Sequence, residues 1–503
     1  MRLWAVTPLP LARTATTRPI RGALAAPGIP FAAGATVRRR LLSPYTDWAL
    51  ASVLALFVWA VPALAAPVAY VGATLIDGTG DAPVAEATVI VDGGRIVAAG
   101  PSSSTPVPAD AERLDVRGKW LLPGLIDAHI HFFQSGGAFA RPDILDLRAL
   151  RPYPDEGAAV RAALPQTLAR TLASGITSVV DAGGPFWTFD VRDLAETLAV
   201  APRVAVAGPL LTPRFPPQLA TDDPPMIQIA AVEQALVEAR RVLARKPDLL
   251  KIWFIEASTD MVAEQRWIAA MMQEAHAVGV RVAVHATDLR LARAAVDLGA
   301  DILVHSVDDA VADAQFFFGL HARGVVYTPT LAVTQNYSRA LGLSFVPSAA
   351  ESRLGDPAAI QSIRALAQMA PSQRPAGVRP AAAAPLNANM VVNLRRAREA
   401  GVVIAAGSDA GNIGTLHGPG LHREMELMVV AGMTPMQVLV AATKGSAVVL
   451  GRSDVGTVEA GKLADLLLLD ADPLVDIRNT SRIFAVVRGG TRHDPNVILQ
   501  SLR

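Results

Sequence analysis

The apolar and polar positions of this chain divide it into four stretches. Past a leader, residues 67–121 alternate in the manner of half-buried strands. Val68 to Ile76, Ala87 to Val91 and Arg95 to Ala99 read as strands, and Asp92-Gly93-Gly94 reads as the hairpin turn between the last two. Across residues 122–451, short apolar runs alternate with stretches of helical period. Eight runs are strand candidates: Ile126–His131, Ser178–Asp181, Arg203–Leu211, Leu249–Phe254, Arg281–His285, Ile302–His305, Val325–Leu331 and Val402–Asp409. Ala231–Arg245, Thr259–Val278 and Leu289–Leu298 are among the helices between them, and Gly279, Gly299 and Gly401 stand where helices end. After residue 452 the runs Leu466 to Leu469 and Ile483 to Val487 read as strands again.

These patterns imply an architecture. The strands at either end are too few to bury both faces alone, so residues 67–121 and 452–495 are expected to form one small β-sandwich domain from both chain ends. Between them, eight strands with intervening helices fit an α/β fold, a (β/α)8 TIM barrel over 122–451. An open sheet would show a phosphate-binding glycine fingerprint after its first strand, and none follows His131. One insertion, 334–390, holds a helical piece near Ala358–Ala370 and the Pro/Ala-rich run Pro371 to Pro385; following a strand's carboxyl end, it would overhang the barrel mouth as a lid.

Composition changes the picture at the amino end. The formal charge of +1 hides an asymmetry: residues 1–66 carry seven arginines and one acid, leaving 39 basic against 44 acidic residues in the body. A mildly acidic body argues against nucleic acid as a partner. Arg38-Arg39-Arg40, the apolar run Trp48 to Leu64 and the small-x-small site Ala63-Leu64-Ala65 read as a signal segment, so the protein is expected to be exported, periplasmic or extracellular. Uncleaved, the same run would anchor it, giving contact with a membrane only through the leader. With no cysteine there is no disulfide framework.

Candidate chemistry gathers at strand ends. His129 and His131 are one residue apart on a strand and share a face, as two ligands of a transition metal would. Lys251, His285, His305 and Asp409 end later strands, and carboxyl ends of barrel strands converge on one mouth. Taken singly, each has an ordinary reading: a core histidine, a helix cap at Asp409, a lysine reaching the rim. Six at equivalent places do not. Tyr327 and His417, in the Gly414-Thr415-Leu416-His417-Gly418 loop, are donors at the mouth suited to a substrate carboxylate. His276, His321, His422 and His493 lie in helical or tail contexts and read as packing or surface residues.

The motifs His129-Ile130-His131, Leu250-Lys251-Ile252, Val284-His285-Ala286, Val304-His305-Ser306 and Gly407-Ser408-Asp409-Ala410, with the closing Gly456-Thr457-Val458-Glu459-Ala460-Gly461-Lys462-Leu463-Ala464-Asp465, resemble those of the amidohydrolase superfamily, in its imidazolonepropionase- and prolidase-like branch. The resemblance spans residues 67 to about 490. It implies two divalent metal ions, most simply Zn2+: His129, His131 and Asp409 on one, His285 and His305 on the other, and Lys251, carboxylated by CO2, bridging both. It also implies hydrolysis of an amide bond by a metal-bridging hydroxide, with Asp409 moving the proton, on an N-acyl amino acid or small dipeptide. The rival readings are a one-metal deaminase, a cyclic-imine or lactone hydrolase on the same barrel, and a non-catalytic binding protein. A homo-oligomer is compatible with all of them.

Overall fold

A computed structural model describes residues 66–255 and 261–502; the leader, and the signal and anchor readings drawn from it, lie outside these residues. Strands β1 (Val68–Leu75), β2 (Val84–Asp92), β3 (Arg95–Pro101), β4 (Glu112–Asp115) and β5 (Trp120–Pro123) come first. Nine more follow: β6 (Leu125–Ile130), β7 (Ile176–Asp181), β8 (Arg203–Val206), β9 (Leu210–Thr212), β10 (Met226–Gln228), β11 (Leu249–Trp253), β12 (Arg281–His285), β13 (Ile302–Val304) and β14 (Val326–Thr328). The last three are β15 (Leu466–Leu469), β16 (Ile483–Arg488) and β17 (Thr491–His493).

Strands from both chain ends share one mixed sheet, in the order β17-β16-β15-β5-β1-β2-β3, with β4 beside β1. The join is antiparallel, Leu466 opposite Pro123 and Leu468 opposite Leu121. Four leucines in a row suit β15 because both its faces are covered. Leu466 and Leu468 pack with Tyr70, Val89, Ile96 and Leu121, while Leu467 and Leu469 face the main core. Gly93 and Gly94 both take positive φ in the β2–β3 turn, as a two-residue hairpin of the favoured hand requires. Arg203 of β8 ties this sheet to the parallel strands, its Nε 3.0 Å from Asp465 Oδ2. Both side chains are mostly buried. Removing one partner strands the other charge, so Arg203→Ala is expected to lower unfolding free energy by about 3 kcal/mol, read by denaturant titration. A loss below about 1 kcal/mol would show that water already screens this pair.

The remaining strands are parallel: β6-β7-β8 in one sheet, β10-β9-β11-β12-β13-β14 in another. Asp248 N donates to Val206 O, linking the β8 and β11 regions. Residues 402–410 bond to both sheets: Tyr327 N donates to Val403 O, and Asp409 N donates to His129 O. Helices Val232–Leu243, Met261–Ala277 and Leu289–Leu298 lie between strands; the last starts on an Asp288 cap and stops at left-handed Gly299.

Three expected strands differ. Arg203–Leu211 breaks into β8 and β9 because the chain turns at left-handed Gly208, where a Cβ would meet the Phe189 ring at 2.6 Å. Val402–Asp409 makes only one isolated bridge, at Ile404, and a second follows just past it at Ala410. Gly407 passes so close to the Thr328 and His129 side chains (2.7 and 2.8 Å from a built Cβ) that only glycine fits, and Asp409 itself has φ 58°. Val325–Leu331 also shortens, because helix Leu331–Leu341 begins where the strand was expected to end. The insertion continues through helices Ala349–Leu354 and Pro357–Gln368. Among the described residues no helix is long and apolar enough to cross a membrane.

Candidate metal centre

His129 is the last residue but one of β6 and His131 follows the strand; their Nε2 atoms lie 3.3 Å apart. Asp409 Oδ1 stands 3.4 Å from the first and 3.2 Å from the second. Asp127, on the same strand, sets this meeting. Its carboxylate accepts Ser408 N at 2.9 Å and Ser408 Oγ at 2.5 Å, pinning the segment that carries Asp409. Burial pushes the Asp127 carboxyl up to about 7, against these hydrogen bonds. His131 Nδ1 is 2.7 Å from Gly183 O, so that nitrogen donates and Nε2 keeps its lone pair.

A second pair faces the first. The His285 and His305 rings are 4.3 Å apart between centroids, and His305 is 5.2 Å from His129. His305 Nδ1 lies 2.6 Å from Thr330 Oγ1. Burial, with Lys251 nearby, holds His129 down to about 3, and burial drives His285 and His305 well below the usual imidazole range. Asp409 is held well below the carboxylate range by His129 and His131, which outweigh its burial. Lys251, on β11, is 1% exposed, and its Nζ has no hydrogen-bond partner. Burial pushes its ammonium down to about 7.

His129 Nδ1 is buried without a hydrogen-bond partner. Asp409 Oδ1 is also buried without a partner. This donor set therefore fits a metal: His129, His131 and Asp409 offer atoms all within 4.8 Å of one another.

The centre opens into a cavity of about 210 Å3, lined by Phe133, Leu210, Met226 and Trp253, by Val333 just before the insertion and by Met390 at its end. All six candidate ligands line it. The two substrate-facing candidates do not, and that expectation is corrected. Tyr327 is fully buried and its hydroxyl is engaged by Ser306 Oγ. His417 is stacked on Phe132 at 5.4 Å, with Nε2 donating to Gln134 O. Burial also pulls it down to about 4, so it carries no charge for a carboxylate near neutral pH.

Three residues not singled out from sequence complete the wall. Arg141 donates to both Asp143 oxygens and, through Nη1, to Tyr337 Oη and Asn412 Oδ1. Asn412 Nδ2 in turn donates to Asp409 O. Arg141 and Tyr337 sit in a loop and in the insertion, without a local signal. Asn412, three residues past Asp409, was within reach of a motif reading.

The amidohydrolase family model matches residues 120–492. The imidazolonepropionase of Rhizorhabdus wittichii is 32% identical over 270 residues, which cover 47% of this chain and 64% of that protein, so the match takes in under two thirds of its length. That of Streptomyces coelicolor is 28% identical over 409 residues, 77% of this chain and 86% of that one. A solved Xaa-Pro dipeptidase with methionine in its active site shares the fold, with TM-score 0.64 and 23% identity over 85% of this chain and all of that chain.

Proposed function

The chain belongs to the amidohydrolase family, and on that premise we propose that it is a two-metal hydrolase cleaving the carbon–nitrogen bond of a small amide. The observation that carries this reading is the convergence of His129, His131, Lys251, His285, His305 and Asp409 on one cavity. We read the parallel strands as a closed (β/α)8 barrel, supported by the backbone bonds from residues 402–410 to both β14 and β6. We read the two-ended sheet as a small sandwich, supported by the separate core around Tyr70 and Leu466.

His129, His131 and Asp409 would hold one ion and His285 and His305 the other, with Lys251 as a carbamate between them. N and O donors of this kind suit zinc, cobalt or manganese. When bound, such a pair brings the pKa of a water towards 7 and polarises a carbonyl. Asp409 accepts the water's proton as its oxygen bonds to the acyl carbon. It then gives that proton to the departing nitrogen as the C–N bond breaks. The neutral amine is the form that adds to CO2, and burial raises its share at Lys251 by pushing the ammonium down to about 7, which supports the carbamate. The apolar wall of Phe133, Leu210, Met226 and Trp253 suits the acyl group or side chain of an N-acyl amino acid or small dipeptide. Arg141 is the cation beside it for a carboxylate, with one Nη2 hydrogen uncommitted.

Metal analysis of purified protein is expected to find near two ions per chain, and chelation to abolish hydrolysis of N-acyl amino acids and dipeptides. One tightly held ion with full activity would put deamination or cyclic-imine hydrolysis in front. No bound ion would overturn the reading.

A further inference from the structure

Glu424 lies on helix Pro419–Val430 and is fully buried; among the described residues it pairs with no cation, and it does not line the substrate cavity. Its carboxylate reaches the start of another helix: Oε1 accepts Leu331 N at 2.9 Å and Oε2 accepts Ala332 N at 2.7 Å. Burial pushes the Glu424 carboxyl up to about 8 against those two bonds, so the protein holds this acid where it is costly to ionise.

The reason lies one residue upstream. Helix Leu331–Leu341 begins at Thr330, and a threonine there ordinarily turns its hydroxyl onto the helix's own first amides. Thr330 does not. Its backbone is left-handed, φ 46° and ψ 54°, and its side chain makes no capping bond. Its hydroxyl instead stands 2.6 Å from His305 Nδ1. A left-handed threonine is a strained residue that persists only where its surroundings hold it. Glu424 supplies the missing cap from outside, fixing the two residues that follow.

We propose that Glu424 is a positioning residue for the metal centre, capping helix Leu331–Leu341 so that Thr330 is free to hold the His305 ring. This inference rests on the two-metal reading above. The Thr330 hydroxyl fixes the rotation of the His305 ring beside Asp409, whose Oδ2 lies 4.0 Å from the same Nδ1.

Chelator competition with zinc on the full-length protein tests it. Glu424→Gln replaces one acceptor by a donor facing an N–H. It is expected to weaken one of the two zinc ions by roughly 10–100-fold, the usual cost of losing a partner behind a ligand, and to leave the other within about 2-fold. Thr330→Val should weaken the same ion by a similar factor, while Thr330→Ser, which keeps the hydroxyl, should bind as wild type. The double variant Glu424→Gln/Thr330→Val should be no weaker than either single change, because both break one linkage. Wild-type zinc affinity in Glu424→Gln, or losses that multiply in the double variant, would overturn the inference. If Glu424→Gln does not fold, Glu424→Asp, shorter by one methylene, is measured against the same criteria. A wild-type protein that binds no zinc would sink the functional reading itself, whereas two tight ions that ignore Glu424 would sink this inference alone.

Discussion

Asp409→Asn is expected to lower kcat by about 10³-fold, with KM changed little. General acid–base catalysis contributes roughly 10²–10⁴-fold, and an amide of the same shape can neither take the proton of the attacking water nor return it. The backbone frame around position 409 does not depend on the carboxylate. Asp127 holds Ser408, Asn412 Nδ2 donates to the carbonyl of residue 409, and the amide of residue 409 donates to His129 O. Substrate binding should therefore survive, and kcat and kcat/KM should fall together, the signature of an interaction made only in the transition state. Metal content separates the proton role from simple ligand loss. Should kcat fall less than about 10-fold while both ions stay bound, another group moves the proton.

The sequence is legible at this site for a physical reason. Strands of a parallel sheet covered on both faces read as unbroken apolar runs, so a single histidine, lysine or aspartate ending such a run stands out against it. β12 and β15 have the expected bounds, and the six candidate ligands lie on one cavity. Legibility stops where placement depends on which face a residue takes. Tyr327 is the middle of a three-residue strand, long enough to show alternation but not which side is the cavity; it points to Phe317 and the main core. His417 is misread for a different reason. The turn closed by Gly411 N to Thr415 O tucks it beneath Phe132 rather than over the mouth. Arg141 and Tyr337 reach the cavity from segments far apart in sequence, joined at Asn412, and no local pattern encodes that meeting. The breaks at Gly208 and Gly407 belong to the same class, since the side chains that exclude a Cβ there come from other elements.

Lys251→Ala is expected to remove most of the bound metal and, with it, at least about 10³-fold of activity, and added bicarbonate should restore neither. No other described side chain in the candidate set can bridge two ions while supplying negative charge: four are imidazoles, and Asp409 sits with His129 and His131. Loss of metal has to be told apart from loss of fold, and the buried amine allows it. The metal-free wild type holds Lys251 without a partner, its pKa pushed down from 10.5 to about 7 by burial. Between those two values the unfolded chain binds the proton that the folded chain lacks, so stability rises with pH through this window, and below about 7 the full penalty is present. Metal-free Lys251→Met, which keeps the volume and removes the amine, should therefore unfold at higher denaturant than metal-free wild type at pH 7, with the gap closing as pH approaches 10.5. Calorimetric or denaturant melts across that range, set beside metal analysis of both variants, decide the matter. A Lys251→Ala protein that folds, binds two ions and hydrolyses its substrate at the wild-type rate would show that Lys251 bridges nothing.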